Sequence, residues 1–385
     1  MKPYYSEDLA DVYHGDCIDV MRELPDGSVD AVVTDPPYGI RFMGESWDGA
    51  DIVKRQERGK ATSPMPAGVG GPNGGYRSLA AEAGRYNRTL KASLAFMDWC
   101  REWASECYRL LKPGGHLLAF GSPRCYHQLG MGIELAGFEV RDTIAWLFAQ
   151  GFPKSLDVAK AIETKGGDAR PWCGWGTALK PAFEPCVVAR KPIAGSVAEN
   201  VLAHSVGALN IDATRVDVEG SELGRWTTNV ALDVAAADAL DQQSGELSET
   251  KPHKFRRGAT TGKGIGYGSG SIGGDAEITY EDSGGASRFF PAFRYEAKAS
   301  SAERPKVDGV QHPTVKPLGL MRWLVRLVAP QGATILDPFA GSGTTIEACI
   351  AEGMRCIAIE REEQYLPLIL DRISKPIDVP LPIGI

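Results

Sequence analysis

Ala333-Thr-Ile-Leu-Asp337-Pro-Phe-Ala-Gly341-Ser-Gly343-Thr-Thr345 is the stretch on which the fold turns. Ala333 to Asp337 reads as a short buried strand. The two glycines then reverse the chain into a helix expected to begin near Thr344. Arg355-Cys-Ile-Ala-Ile359 reads as a second strand, followed by a helix over about 362–374. Strand, helix and strand in so short a span make a parallel unit with a right-handed crossover. The apolar runs imply a sheet covered on both faces. Such a sheet binds ligands beyond the carboxyl ends of its strands. The glycines let a ligand approach the backbone, and the helix start offers N–H groups to an anion. Glu360, at the end of the second strand, stands where a carboxylate grips ribose hydroxyls. A plain tight turn reads the same way, because the third glycine of the dinucleotide fingerprint is absent.

The chain around this unit alternates in the same manner. Leu318 to Val328 has the spacing of an amphipathic helix. Near the other end, Asp30-Ala-Val-Val-Thr34 is an apolar strand that runs into Asp35-Pro-Pro-Tyr38. Consecutive prolines stiffen the backbone and remove donors, so the carbonyls there are left to accept. A carboxylate and an aromatic ring beside them suit a planar heterocycle that carries an amino group. From about 44 to 91 the chain is poor in apolar residues and rich in glycine and proline, as a long mobile loop would be. Phe96, Cys100, Trp103, Cys107 and Leu110 then recur at helical spacing, and Lys112-Pro-Gly-Gly115 is expected to stop that helix. His116 to Phe120 reads as a strand, Tyr126 to Ala136 as a helix, and further strands are expected near Phe138 and Ile144. The middle is less regular, with one strand candidate at Cys186–Arg190 and a helical stretch from Ala231 to Gln243. Glycine and serine crowd residues 258–285, where flexibility is the default.

Composition narrows the class. The 385 residues are 43% hydrophobic and 24% charged, an ordinary globular balance. No apolar run approaches the roughly 18 residues of a membrane span. The eight cysteines are scattered without a C-x-x-C pair, so no metal site is expected and a reduced, cytoplasmic setting is the natural one. The net charge of −7 means that any surface meeting nucleic acid must be locally basic.

Asp35 to Tyr38 resembles the D-P-P-Y motif of DNA amino-methyltransferases, and Asp337 to Thr345 resembles their D-P-F-x-G-S-G-T-T cofactor motif. His14-Gly-Asp-Cys17, Lys112-Pro-Gly-Gly115, Phe183-Glu-Pro185, Lys298-Ala-Ser300 and His312-Pro-Thr-Val-Lys-Pro317 are also similar to segments of that group. The catalytic motif precedes the cofactor motif, an order that resembles the beta class, which includes phage and prophage enzymes. The resemblance implies an α/β, circularly permuted Rossmann-like methyltransferase fold that uses S-adenosyl-L-methionine. Residues 1–160 would form the catalytic half, 161–305 an inserted target-recognition region, and 306–385 the cofactor half. Asp35, Pro36, Pro37 and Tyr38 would be catalytic. Asp16 and Cys17 would meet the cofactor's adenine end, and His312, Thr314 and Lys316 its methionine end. Asp337, Phe339, Gly341, Gly343 and Thr344 would line the turn, and Glu360 would take the ribose.

On this reading a target base leaves the duplex, stacks on Tyr38, and donates its amino hydrogens to Asp35 and the Pro36 carbonyl. Asp35 serves as an acceptor more than as a base, since a carboxylate is feebly basic. The Asp35–Tyr38 motif carries no cysteine nucleophile, consistent with direct transfer. Aspartate at the first motif position leans towards adenine N6 over cytosine N4. Arg190, Lys191, Arg225, Arg256 and Arg257 are the candidates for contacting double-stranded DNA. The aromatic and basic residues Tyr76, Arg77, Tyr86 and Arg88 would suit a loop closing over it. The resemblance also implies a homodimer and raises a cognate restriction endonuclease as a partner. The competing readings are a methyltransferase for another acceptor and a DNA-binding protein with a silenced site.

Overall fold

The computed structural model describes residues 2–39, 90–151, 153, 155–216, 224–246, 253–255, 276–278, 284–293 and 304–377. Residues 44–89 of the loop expected over about 44–91 and most of the glycine-dense stretch at 258–285 lie outside the described residues, while Leu90 and Lys91 already belong to a helix. From the N-terminus, β1 (Tyr5–Glu7) and β2 (Ala10–His14) form a hairpin, and α1 (Cys17–Glu23) starts under the side-chain cap of Asp16. Then come β3 (Val29–Thr34), α2 (Leu90–Leu110), β4 (Leu111–Phe120), α3 (Tyr126–Leu135) and β5 (Glu139–Leu147). The middle holds α4 (Val158–Glu163), β6 (Phe183–Arg190), α5 (Val197–His204), β7 (Val230–Asp233) and α6 (Val234–Ser244). After it come β8 (His253–Phe255), β9 (Ala276–Ile278) and β10 (Ala292–Phe293). The chain continues with α7 (Leu318–Val328), β11 (Thr334–Asp337), α8 (Thr344–Ala351), β12 (Arg355–Glu360) and α9 (Leu366–Ile373).

Ten strands form one sheet in the order β1-β2-β12-β11-β3-β4-β6-β5-β7-β10, while β8 and β9 pair with each other. β1 is antiparallel to β2, and β6 is antiparallel to both β4 and β5; the remaining pairs of the ten-stranded sheet are parallel, and β8 and β9 are antiparallel to each other. β11 and β12, late in the chain, lie between β2 and β3, early in it. If the end of α9 were joined to the start of β2, the run β11, β12, β2, β3, β4 would occupy sheet positions in the doubly wound order 3-2-1-4-5. The permuted connectivity expected from the motif order is therefore built into the sheet. Its switch point, where such folds hold ligands, falls between β11 and β3.

Alternation explains why the central strands are apolar throughout. In β3, Ala31 and Val33 face one core and Val32 the other; in β12, Cys356 and Ala358 oppose Ile357 and Ile359. Helix α7 fills the first core with Leu320, Leu324 and Val328. Helices α2 and α3 fill the second with Trp103, Cys107 and Ile133. No described helix is long and apolar enough to cross a membrane.

Helix α2 ends at Leu110, ahead of Lys112–Gly115 as expected, and β4 begins at once, with a register shift against β3 between Leu111 and His116 absorbing the extra residues. Two expectations are corrected. Phe138 and Ile144 do not mark two strands, since one strand, β5, spans 139–147. Ala231 does not open a helix; Val230–Asp233 is a strand beside β5, and the helix starts after Asp233, whose carboxylate accepts from the Ala236 N–H at 2.5 Å. Strands β6, β7 and β10, from the segment expected to carry target recognition, belong to the same sheet as the two halves.

Candidate active site

The parallel strands β2, β3, β11 and β12 all point their carboxyl ends to one edge. Asp16, Asp35, the Asp337–Thr344 turn and Glu360 therefore meet there, although they lie up to 344 residues apart. β6 runs the other way, so its beginning reaches the same edge. Phe183 and Glu184 stand opposite Leu147 and Trp146, and Cys186 stands opposite Phe120 at the end of β4. One cavity of about 1070 Å³ is lined by Asp16, Asp35, Asp337, Gly341, Thr344, Glu360, Phe183 and Glu184, together with Cys17, Tyr38, Trp99, His312, Thr314 and Lys316.

At the glycine-turn end, Asp337 closes β11. It accepts from Thr34 Oγ1 at 2.6 Å and from the Phe339 N–H at 3.1 Å. Burial pushes its pKa up to about 6 against those donors. The Phe339 ring packs against Trp99 and Trp103. Gly341 has φ +53°, and a Cβ there would stand 3.1 Å from the His312 ring. Its N–H donates to Glu360 Oε2 at 2.8 Å, while Glu360 Oε1 accepts from the Glu362 N–H at 2.7 Å. Burial raises the Glu360 carboxyl to about 7 in spite of both donors. Gly343, at φ +82°, leads into α8 at the buried Thr344. The Gly15 N–H donates to the Glu360 carbonyl at 3.0 Å, which brings Asp16 beside this end. Asp16 itself accepts from the Ile18 N–H at 3.1 Å. His312 sits edge-on to Tyr365, has its Nδ1 within hydrogen-bond reach of the Thr314 carbonyl, and has its pKa lowered by burial.

The end that bears the expected catalytic motif is assembled from three distant segments. The Tyr38 hydroxyl donates to Asp35 Oδ1 at 2.8 Å. Lys316 Nζ reaches Asp35 Oδ2 at 2.5 Å and Glu184 Oε2 at 3.2 Å, and donates to the Tyr38 hydroxyl at 3.2 Å. The ammonium lies 4.7 Å from the Phe120 ring centre, in cation–π range. Burial opposes the charge on Lys316, but Asp35 and Glu184 outweigh it and hold its pKa above that of ordinary lysine. Burial also raises the Tyr38 hydroxyl, reinforced by Asp35 and Glu184, so it stays a donor. Glu184 is raised by burial while Lys316 pulls it down.

Lys316, expected at the methionine end of the cofactor, lines the cavity with His312 and Thr314, and its ammonium is paired with Asp35 and Glu184 and donates to Tyr38. Glu184 is not among the expected site residues; the antiparallel pairing of β6 is what brings it to this edge.

The expected DNA contacts fare differently from the motifs. Arg190 is buried, pairs with Glu139 at 2.9 Å and donates to the Gly207 carbonyl. Lys191 Nζ donates to the carbonyls of Tyr108 and Leu111 at 2.7 and 2.8 Å. Both side chains therefore tie the framework together and are not presented to a phosphate. Arg225 lies over Phe289 and donates to the Arg288 carbonyl at 3.0 Å. Arg256, Arg257, Lys298–Ser300 and the loop bearing Tyr76, Arg77, Tyr86 and Arg88 lie outside the described residues.

Comparison with known proteins gives the family. The family model described as DNA methylase, of the N6/N4 type, matches residues 29–371. The chain belongs to that family. The methylase is 24% identical over 373 residues to the type II methyltransferase M.HindIII of Haemophilus influenzae, covering 94% of each chain. A 124-residue stretch, 32% of this chain and 20% of the other, is 26% identical to the type II methyltransferase M.BamHI of Bacillus amyloliquefaciens. Among solved structures, M1.HpyAVI in complex with SAM is 17% identical, with a TM-score of 0.44 over 95% of this chain and all of that one. The cytosine-N4-specific PvuII DNA methyltransferase is 13% identical, with a TM-score of 0.48 over 96% and 88%. The fold of the methylase rests on its own strand order.

Proposed function

We propose that this methylase transfers a methyl group from S-adenosyl-L-methionine to the N6 amino group of an adenine flipped out of double-stranded DNA. The observation that carries the reading is the single cavity shared by the Asp35–Tyr38 motif and the Gly341–Glu360 turn. The residues fit the donor: a cavity of this size admits a nucleoside with its amino-acid tail, and Gly341 leaves room beside His312 where a Cβ would not. Glu360, buried with raised pKa, gains from hydroxyl donors such as those of a ribose. S-adenosyl-L-methionine supplies an electrophilic sulfonium methyl.

The chain's own groups do the rest. Extrusion of a base costs a few kcal/mol, and stacking on the Tyr38 ring recovers part of that. Asp35 and the Pro36 carbonyl accept the amino hydrogens, which returns electron density to the attacking nitrogen. The rigid Pro36–Pro37 backbone holds that geometry. The methylated nitrogen sheds one proton, and Asp35 is the carboxylate beside it. Aspartate at position 35 is what favours adenine over cytosine.

The test is nucleoside mass spectrometry of unmethylated bacterial DNA incubated with the protein and its donor. N6-methyladenine that disappears with Asp35→Ala is the expected result. N4-methylcytosine would keep the chemistry and overturn the base; no methylated base on several DNAs would overturn the activity.

A further inference from the structure

We propose that Glu184 is a positioning residue for methyl transfer, the second carboxylate that draws the Lys316 ammonium off Asp35 when the target amino group arrives. The inference rests on the function proposed above. In the structure both oxygens of Asp35 already have partners, Tyr38 at Oδ1 and Lys316 at Oδ2. An ammonium on Oδ2 withdraws the negative charge that makes Asp35 a strong acceptor. For Asp35 to serve the target amine, that ammonium must have somewhere to go. Lys316 is 8% exposed, so it cannot be released to water, and a buried cation without a partner is prohibitive.

Glu184 is the place provided. Its Oε2 stands 3.2 Å from Lys316 Nζ and 3.4 Å from the Tyr38 hydroxyl, so both donors now on Asp35 are within reach of it. A small shift of Lys316 from one carboxylate to the other keeps the cation paired throughout. β6 fixes the second carboxylate firmly, since Glu184 is paired opposite Trp146 in a strand hydrogen-bonded on both sides. The cluster holds two carboxylates to one ammonium, which leaves Asp35 its negative charge after Lys316 moves.

The variant Glu184→Gln keeps the shape of the side chain and removes its charge. With the donor saturating, kcat should fall about 100-fold while the dissociation constant of the donor stays unchanged. A second readout needs no donor. The wild type should bind a duplex carrying its target base about tenfold more tightly than one whose base lacks the amino group, and Glu184→Gln should lose that preference. If Glu184 acts by holding Lys316, removing the ammonium should compensate for its loss. Glu184→Gln combined with Lys316→Gln should then turn over at least about tenfold faster than Glu184→Gln alone. A purely structural role predicts the reverse. An active wild type with an equally active Glu184→Gln, or a double variant no faster than the single one, would overturn this inference alone. A wild type that methylates no DNA would overturn it together with the function beneath it.

Discussion

The two ends of the cavity are built on opposite plans. The glycine-turn end comes almost entirely from one parallel unit, β11-α8-β12, whose 27 residues carry Asp337, Gly341, Gly343, Thr344 and Glu360 in fixed order. The catalytic end has no such local origin: Asp35 and Tyr38 follow β3, Glu184 opens β6, and Lys316 precedes α7. The first end is made of backbone and acceptors and holds a ligand through shape. The second is a cluster of opposite charges in which each group is satisfied by another from far away in the chain. Binding and chemistry should therefore separate under mutation, the first end governing affinity and the second turnover.

The largest effect expected is at the catalytic end. Asp35→Ala should lower kcat by at least about 10³-fold, since it removes the acceptor and strands Lys316 with Glu184 alone. Donor affinity, followed by calorimetry, should change less than about twofold. A comparable loss of donor affinity would erase the division between the ends.

The glycine-turn end should give the mirror result. Gly341→Ala forces a Cβ to 3.1 Å from His312 at φ +53°, so donor binding should weaken about tenfold or more with the fold retained. pH sharpens the same contrast. The Glu360 carboxyl is raised from its usual 4.5 to about 7, so the folded chain holds that proton more tightly than the unfolded chain does between those values. The sign follows: Glu360 lowers stability as pH rises from about 4.5 to 7, while the ionised form, which on the proposed function would accept ribose hydroxyls, predominates only as pH passes 7. Donor affinity should accordingly rise by up to about tenfold between pH 6 and 8, and Glu360→Gln should flatten the curve. Asp337, at about 6, accounts for any remainder. A pH-independent affinity in the wild type would remove Glu360 from the donor site.

The contrast also explains what was legible in the sequence. Ala333 to Glu360 announces strand, turn, helix and strand by local chemistry alone, and the sheet places each of them where the pattern implies. Asp35-Pro-Pro-Tyr38 was equally plain, because a strand must end where two prolines begin. Glu184 was not legible, since nothing near it in sequence says that β6 runs antiparallel between β4 and β5. Lys316 was legible as a charged residue in a motif, but its partners lie 132 and 281 positions away, and a motif does not say which carboxylate a cation will meet. Charge misled most where it was read as surface. Arg190 and Lys191 close a strand, and a strand end is also where carbonyls of neighbouring segments need donors.

Lys191 offers the smallest effect and the cleanest decision between framework and DNA surface. Its ammonium holds the Tyr108 and Leu111 carbonyls at the junction of α2 and β4 and lies 4.6 Å from the Tyr108 ring centre. Lys191→Ala should therefore cost about 1 kcal/mol of stability, seen as a drop of about 1–3 °C in Tm. DNA affinity and its dependence on salt should not move, because no phosphate contact is lost. A residue that met phosphate would behave in the opposite way, with an unchanged Tm and a salt slope shallower by about one. That outcome would return Lys191 to the DNA surface.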